Sequence, residues 1–151
     1  MDNLSEIFDV IIIGAGPGGY HTAIRASQYG AKVAIIEKNK VGGTCLNVGC
    51  IPTKALYASA KLIEDIEEKG VNFGINIGDV SVNFGQAVER KNKVVVELVQ
   101  GIEGLLKMWK VEIYYGFGSL SGGNPESGYL VSVKSDDSII TIKGKRIIIA
   151  T

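Results

Sequence analysis

Residues 8–37 constrain the fold of this chain more than any other stretch. Phe8-Asp9-Val10-Ile11-Ile12-Ile13 is β-branched and almost continuously apolar, the pattern of a central parallel strand buried on both faces. It runs into Gly14-Ala15-Gly16-Pro17-Gly18-Gly19, a G-x-G-x-x-G carried by Gly14, Gly16 and Gly19. Gly14 permits the tight turn, Gly16 lets backbone approach a pyrophosphate, and Gly19 lets a helix pack close to the strand. The spacing predicts a helix from about Pro17 to Tyr29 with Tyr20, Ala23, Ile24 and Ser27 on its inner face and Gly30 as its cap. Its N-terminus offers free N–H groups and a partial positive charge to phosphates. Lys32-Val33-Ala34-Ile35-Ile36-Glu37 is then a second strand, ending in the acid expected to bind a ribose hydroxyl. A carboxylate there favours an unphosphorylated ribose. The motif does not separate NAD from FAD, which share an ADP half.

The next strand-to-helix passage is Gly42-Gly43-Thr44-Cys45-Leu46-Asn47-Val48-Gly49-Cys50-Ile51-Pro52-Thr53-Lys54, which holds both cysteines of the chain as C-x4-C. From Thr53 to about Lys69, Ala55, Leu56, Ser59, Leu62, Ile63 and Ile66 recur at helical spacing, and Gly70 closes the helix. The cysteines are expected at or just before its start, where the helix dipole favours a nucleophilic thiolate. Gly49 between them lets the backbone bend enough for the sulfurs to approach. Three readings follow from the residues: a redox pair, two inert buried thiols, or a metal site. The last is the weakest, because zinc takes about four ligands and only the distant His21 could join the cysteines. No metal is therefore expected. His21, spaced with Arg25 and Gln28, reads as a surface residue.

Beyond Gly70 the chain says less about chemistry. Residues 71–79 read as a loop. Asn83, with Gln86 three residues on, opens a long helix to about Trp109, and Val82 with Ala87 could form a hydrophobic staple. Phe84, Ala87, Val88, Val95, Leu98, Ile102, Leu105, Leu106 and Trp109 form an apolar stripe expected to be core. Residues 111–115 read as a strand, and Gly118 as a bend or a close approach to a flat ligand. Residues 129–134 and 139–142 alternate as strands of a small antiparallel meander around Ser135-Asp136-Asp137-Ser138, and residues 145–151 close the chain with another buried strand.

Composition excludes several classes. The 151 residues suit about one domain, and 46% hydrophobic with 21% charged content argues against disorder. Sixteen basic residues balance sixteen acidic ones, so no field points to nucleic acid or to an anionic membrane. The acidic start lacks a basic region before an apolar run, and residues 10–13 are far too short to span a bilayer. The expected compartment is the cytoplasm, where a cysteine pair is more often catalytic or metal-binding than structural.

On residues 42–54, together with Gly14–Gly19 and Glu37, the chain resembles the class I flavoprotein disulfide reductases along its whole length. Within them it is most similar to the branch that oxidises dihydrolipoamide with NAD+. Reductases of glutathione and mercuric ion commonly have valine where this chain has Leu46 and Ile51. They remain the alternative, beside a non-catalytic nucleotide-binding module. The resemblance implies an α/β, Rossmann-like FAD-binding three-layer fold with a parallel sheet and a small antiparallel β-meander. It also implies that residues 1–151 are an N-terminal FAD-binding segment. The rest of the FAD domain, an NAD domain and a dimer-interface domain would be absent, and the segment would be inactive alone.

Cys45 would be the interchange thiol for lipoyl groups, and Cys50 the thiol nearest the flavin, with a redox disulfide between them. Lys54 would sit near flavin N5, and Glu37 on the adenosine ribose. Gly43, Thr44, Gly14, Gly16, Gly18, Gly19, Gly42 and Lys38 would lie along the cofactor. Gly118 would meet the adenine, and Ala150-Thr151 would begin a second flavin-contacting motif. The implied partners are lipoyl groups of 2-oxoacid dehydrogenase complexes or of the glycine cleavage system. The implied assembly is a homodimer, with FAD bound and NAD as co-substrate.

Overall fold

The computed structural model describes residues 6–151. Two four-stranded sheets and a helical layer stack in three tiers. The parallel sheet has β2 (Val10–Ile13), β3 (Val33–Glu37), β4 (Glu112–Tyr115) and β8 (Ile147–Ile149), in the order β4-β3-β2-β8. The second sheet has β1 (Ile7–Phe8), β7 (Ile139–Gly144), β6 (Gly128–Lys134) and β5 (Phe117–Asn124), in that spatial order. Its β5, β6 and β7 are antiparallel, while β1 lies parallel to β7. The helices are α1 (Pro17–Gln28), α2 (Gly43–Asn47), α3 (Cys50–Lys69) and α4 (Phe84–Met108), with a 3-10 turn at Gly70–Phe73.

The period of two in a strand sorts the apolar run of β2 and β3 into two cores. Ile11, Ile13, Ala34 and Ile36 face the antiparallel sheet and pack on Val131, Val133 and Ile142. Ile12, Val33 and Ile35 face the helices and pack on Ala23 of α1 and Leu106 of α4. A sheet covered on both faces therefore needs apolar residues throughout its centre, as β2 and residues 33–36 of β3 have.

The run from Phe8 to Ile13 is not one strand. Phe8 pairs with Gly144 in the second sheet, Val10 pairs with Val33 in the parallel one, and Asp9 makes the crossing. Asp9 is held there through both carboxylate oxygens. One accepts from Lys145 Nζ at 2.7 Å, the other from the Lys32 backbone N–H at 2.9 Å, while the Lys32 side chain pairs with Glu6. The Lys145 bond, then the Lys32 N–H, holds the Asp9 carboxyl below its ordinary value. A lowered carboxyl contributes stability above its unfolded pKa of about 4 and loses it as pH falls through the lower folded value. Asp9→Asn should therefore cost about 1 kcal/mol or less at neutral pH, because Lys145 is exposed and solvent screens the pair. Chemical denaturation at pH 7 and below pH 3 checks this: the gap between the two proteins should close at the acidic end.

Two further expectations need correction. Residues 117–124 form a full strand, β5, paired with β6 around an irregularity between Leu120 and Gly122. Its glycines hid it, because they carry no alternating side chains. The apolar stripe of α4 is fully buried only at Leu106, with Ile102 half-buried against the same core, while Phe84, Leu98, Leu105 and Trp109 are exposed. A helix of 25 residues is about 37 Å long, whereas the four-residue β2 covers about 13 Å, so most of α4 extends beyond the sheet and packs on α3 instead. The cap at Asn83 forms as expected, its side-chain oxygen accepting from the Gln86 N–H at 3.1 Å.

Candidate functional site

In the parallel sheet, β2, β3, β4 and β8 all end on the same side, at Ile13, Glu37, Tyr115 and Ile149. The carboxyl edge of such a sheet is where open α/β folds bind ligands, at the strand from which connections leave in both directions. That strand is β2, with β3 on one side and β8 on the other.

Gly14 turns out of β2 with φ +103°, a left-handed backbone that only glycine adopts cheaply. A Cβ there would collide with the Ala150 carbonyl after β8. Gly19 lies in the first turn of α1, and a Cβ on it would overlap the Gly14 carbonyl oxygen. These two contacts draw the loop and α1 tightly over the sheet edge. Pro17 opens α1 where an N–H has no helical partner to lose. Gly18 lies beside Ala150, at ordinary contact distance for an added Cβ.

Glu37 ends β3 buried, with 8% exposure. One carboxylate oxygen accepts from the Ala15 N–H and the other from the Asn39 N–H, each at 2.8 Å. A carboxylate has about four acceptor positions, so lone pairs remain on both oxygens for a hydroxyl donor. The expectation assigned this acid to a ligand alone and missed its structural use. It ties the glycine loop to the end of β3. Glu37→Gln keeps the shape but turns an amide NH2 toward one of those N–H groups. Without any nucleotide present, it should cost about 2 kcal/mol in denaturant unfolding; an unchanged midpoint would show that the carboxylate does not hold the loop.

The cysteine loop docks directly onto the glycine loop. The Gly42 N–H donates to the Ala15 carbonyl at 2.8 Å, and Gly42 and Gly43 both have positive φ, +99° and +58°. A Cβ on Gly43 would lie 2.7 Å from the Gly16 Cα. Bare backbone thus meets bare backbone, which leaves a cradle whose polar lining is peptide groups.

Cys45 lies in α2, a five-residue helix absent from the sequence reading, and Cys50 is the first residue of α3. The two are joined in a disulfide, with Cα atoms 4.7 Å apart. Of the three readings of the pair, inert separate thiols and a metal site thus give way to a disulfide. Among the described residues no group of three or more His, Cys, Asp or Glu is placed to hold a metal ion. Cys50 is exposed, Cys45 half-buried, and Lys54 stands exposed one turn beyond Cys50. Residues four apart share a helix face, so Lys54 and Cys50 do. When the disulfide opens, the N-terminus of the twenty-residue α3 and the Lys54 ammonium both favour a thiolate at Cys50.

The remaining expected residues are less closely gathered. Thr44 is exposed on α2, and Lys38 is exposed just after Glu37. Thr151 follows β8, exposed. Gly118, in β5, has a packing reason: a Cβ there would press on Ile13 and Ile36 at 3.1–3.2 Å. His21 is exposed and stacks against Tyr20. Beside the loop after Glu37 runs an open groove of about 340 Å³, lined by Asn39, Lys40, Asn47, Val99, Gln100 and Tyr115. A larger depression of about 550 Å³ lies along β4 and the end of α4, away from the cysteines. No described helix is long and apolar enough to cross a membrane.

Known proteins resemble this arrangement. The family described as pyridine nucleotide-disulphide oxidoreductase matches residues 8–151. A dihydrolipoyl dehydrogenase of Chlorobaculum tepidum is 44% identical over 150 residues, covering 99% of this chain and 31% of that protein. The mitochondrial dihydrolipoyl dehydrogenase of Dictyostelium discoideum is 45% identical over 148 residues, covering 97% of this chain and 30% of the relative. The chain thus spans about a third of the length of these curated relatives. Among solved structures, LpdA from Mycobacterium tuberculosis shares the fold with a TM-score of 0.82 at 23% identity, over 94% of this chain and 31% of its own. The HOCl-induced flavoprotein disulfide reductase RclA from Escherichia coli, solved as a Cu(II) complex, superposes with a TM-score of 0.72 at 28% identity, over 97% of this chain and 29% of its own.

Proposed function

The chain belongs to the pyridine nucleotide-disulphide oxidoreductase family, and from that premise we propose that it is the N-terminal FAD-binding segment of an enzyme that oxidises dihydrolipoyl groups with NAD+. The observation that carries the reading is the Cys45–Cys50 disulfide at the head of α3, one loop away from a dinucleotide cradle. The cradle fits such a cofactor. Gly14, Gly19, Gly42 and Gly43 have no room for a side chain, the cradle's backbone closes on backbone, and Glu37 keeps free lone pairs at the end of β3.

The chain's own share of the chemistry is thiol–disulfide exchange. A dihydrolipoyl thiolate attacks the Cys45 Sγ, a new S–S bond forms, and the Cys45–Cys50 bond breaks with its electron pair on Cys50. The second lipoyl thiolate then attacks the mixed disulfide, closing the dithiolane and freeing Cys45. Attack at Cys45 rather than Cys50 follows from the leaving group. The thiolate that departs is the one stabilised by the α3 N-terminus and Lys54. Bound FAD supplies two-electron acceptance from the dithiol and hydride delivery to NAD+. Gly14, Gly16, Gly18, Gly19, Gly42, Gly43 and Thr44 would hold its phosphates and ribityl chain, with Glu37 and Lys38 at the ribose. Gly118 would lie at the adenine, and Lys54, Ala150 and Thr151 beside the flavin.

In this reading the NAD site and the remaining domains belong to a longer chain, and residues 1–151 do not turn over alone. That longer chain would work as a homodimer in the cytoplasm, serving lipoyl groups of 2-oxoacid dehydrogenase or glycine cleavage complexes. Exposed Leu62, Phe73, Phe84 and Leu98 offer apolar area for such an assembly. Steady-state assays of the complete gene product provide the test. Its kcat/KM for dihydrolipoamide with NAD+ should exceed that for glutathione disulfide or mercuric ion with NADPH on the order of 100-fold. The reverse order would assign the chain to one of those other reductases.

A further inference from the structure

Asn47 is the last residue of α2, and its side-chain amide donates to two carbonyls, those of Val41 and Gly43, each at 3.0 Å. Two acceptors converging on one group require the nitrogen rather than the oxygen of the amide to face them. The Gly43 carbonyl belongs to α2 itself, so that bond stiffens the short helix. Val41, by contrast, precedes α2, is buried in the helix-side core and adjoins the Gly42 N–H fixed to Ala15. Asn47 therefore fastens α2, and Cys45 with it, to a part of the chain that does not move independently of the sheet.

This fastening matters because α2 has little else. Five residues are far too few for a helix to persist by its own hydrogen bonds. Val48, which follows it, is exposed. Beside the backbone contact of Gly42 and Gly43 with the glycine loop, three side-chain anchors hold the segment: the buried Leu46 packed under Gly42, the Asn47 amide, and the disulfide to Cys50. Reduction removes the third. The side chains that then help keep the Cys45 sulfur within closing reach of Cys50 are Leu46 and Asn47.

We infer that Asn47 is a positioning residue for the Cys45–Cys50 couple: its amide keeps α2 docked when the disulfide is open, and so favours reclosure. Without it the reduced segment gains conformational freedom that closure must remove, and the equilibrium moves toward the dithiol. The inference rests on the redox role of the pair but not on FAD, NAD or lipoyl groups.

The test is equilibration with glutathione, in which one protein disulfide is reduced as two glutathione thiols join in one glutathione disulfide. The protein, with Asn47→Ala and Asn47→Asp beside it, is held in buffers of defined ratio, quenched in acid, alkylated and weighed by mass spectrometry. Both variants should shift the midpoint roughly three- to tenfold toward the dithiol, the effect of losing one or two hydrogen bonds. The Asn47→Asp substitution keeps the size of the side chain while facing oxygen to two carbonyls, so it separates hydrogen bonding from packing. Melting is measured in both redox forms, and the loss should be larger in the reduced one. If a reduced variant unfolds outright, its oxidised form is still held by the covalent bond, and the glutathione midpoint moves further in the same direction. An unmoved midpoint with equal melting losses in both forms overturns the inference, as does a shift toward the disulfide or a wild-type midpoint in Asn47→Asp. Because only glutathione and the two cysteines enter, a failure of the lipoyl reading would leave this result interpretable.

Discussion

Gly19→Ala should destabilise the chain by roughly 3 kcal/mol or more, among the largest effects expected of a single methyl group. The added Cβ would overlap the Gly14 carbonyl oxygen. Both partners are backbone, so no side chain can rotate away. Relief requires α1 to lift from β2, which would open the core around Ile12 and Ala23. The glycine loop would move with the helix and lose its shape at the carboxyl edge of the sheet.

Two neighbouring substitutions show that position decides the effect. Gly18→Ala places its Cβ at 3.8 Å from the Ala150 methyl, an ordinary contact, and gains helix propensity. It should be neutral or stabilising by a few tenths of a kcal/mol. Gly30→Ala meets no atom within 4 Å, but its φ of +85° costs about 1 kcal/mol. Urea denaturation of the three variants should rank them in that order, with Gly19→Ala far below the others. A Gly19→Ala chain as stable as the parent would show that α1 is not seated on the loop as described.

The features legible in the sequence are those written in local order. A continuous β-branched run, three glycines at fixed offsets and an acid at the end of the next strand located β2, α1, β3 and the carboxyl edge. Gly30 ends α1 with positive φ, and Asn83 caps α4, because caps are chosen by neighbouring residues. What escaped depends on distant partners. Nothing near Asp9 says that the chain changes sheets there, since the change is fixed by pairing with Gly144 on one side and Val33 on the other. The glycine-rich β5 is a strand because β6 lies beside it. The apolar stripe of α4 has the period of a buried face, but periodicity does not measure how far the sheet reaches beneath it.

At the site the same division holds. The resemblance paired Cys45 with Cys50, and the disulfide joins them. The structure adds the supports: α2 as a separate helix, the Asn47 amide across Val41 and Gly43, and the two backbone N–H groups on Glu37. Each is a side chain satisfying backbone that a folded loop leaves exposed, and loops show no periodicity from which to read such bonds. Glu37, an acid proposed to bind a ligand, is buried and so takes partners of its own from the backbone.

Under the proposed function, removing either cysteine should abolish electron transfer from dihydrolipoamide in the complete enzyme, because a single thiol offers no disulfide to accept the pair of electrons. The two losses should nevertheless look different. In Cys45→Ser the remaining thiol, Cys50, stands exposed at the first residue of α3 with Lys54 on the same face. In Cys50→Ser the remaining thiol, Cys45, sits half-buried in α2, whose five residues sum to a small dipole. A helix N-terminus stabilises a nearby thiolate by about 1 kcal/mol at most exposed sites, or roughly fivefold in thiolate fraction. Alkylation by iodoacetamide at pH 7 reads that fraction directly, since the thiolate is the nucleophile. The Cys45→Ser chain should therefore react several times faster than the Cys50→Ser chain. The gap should narrow as pH rises and both thiols ionise, and should shrink again in Cys45→Ser with Lys54→Gln. Faster reaction at Cys45 would reverse the leaving-group argument, and with it the choice of Cys45 as the sulfur that dihydrolipoamide attacks.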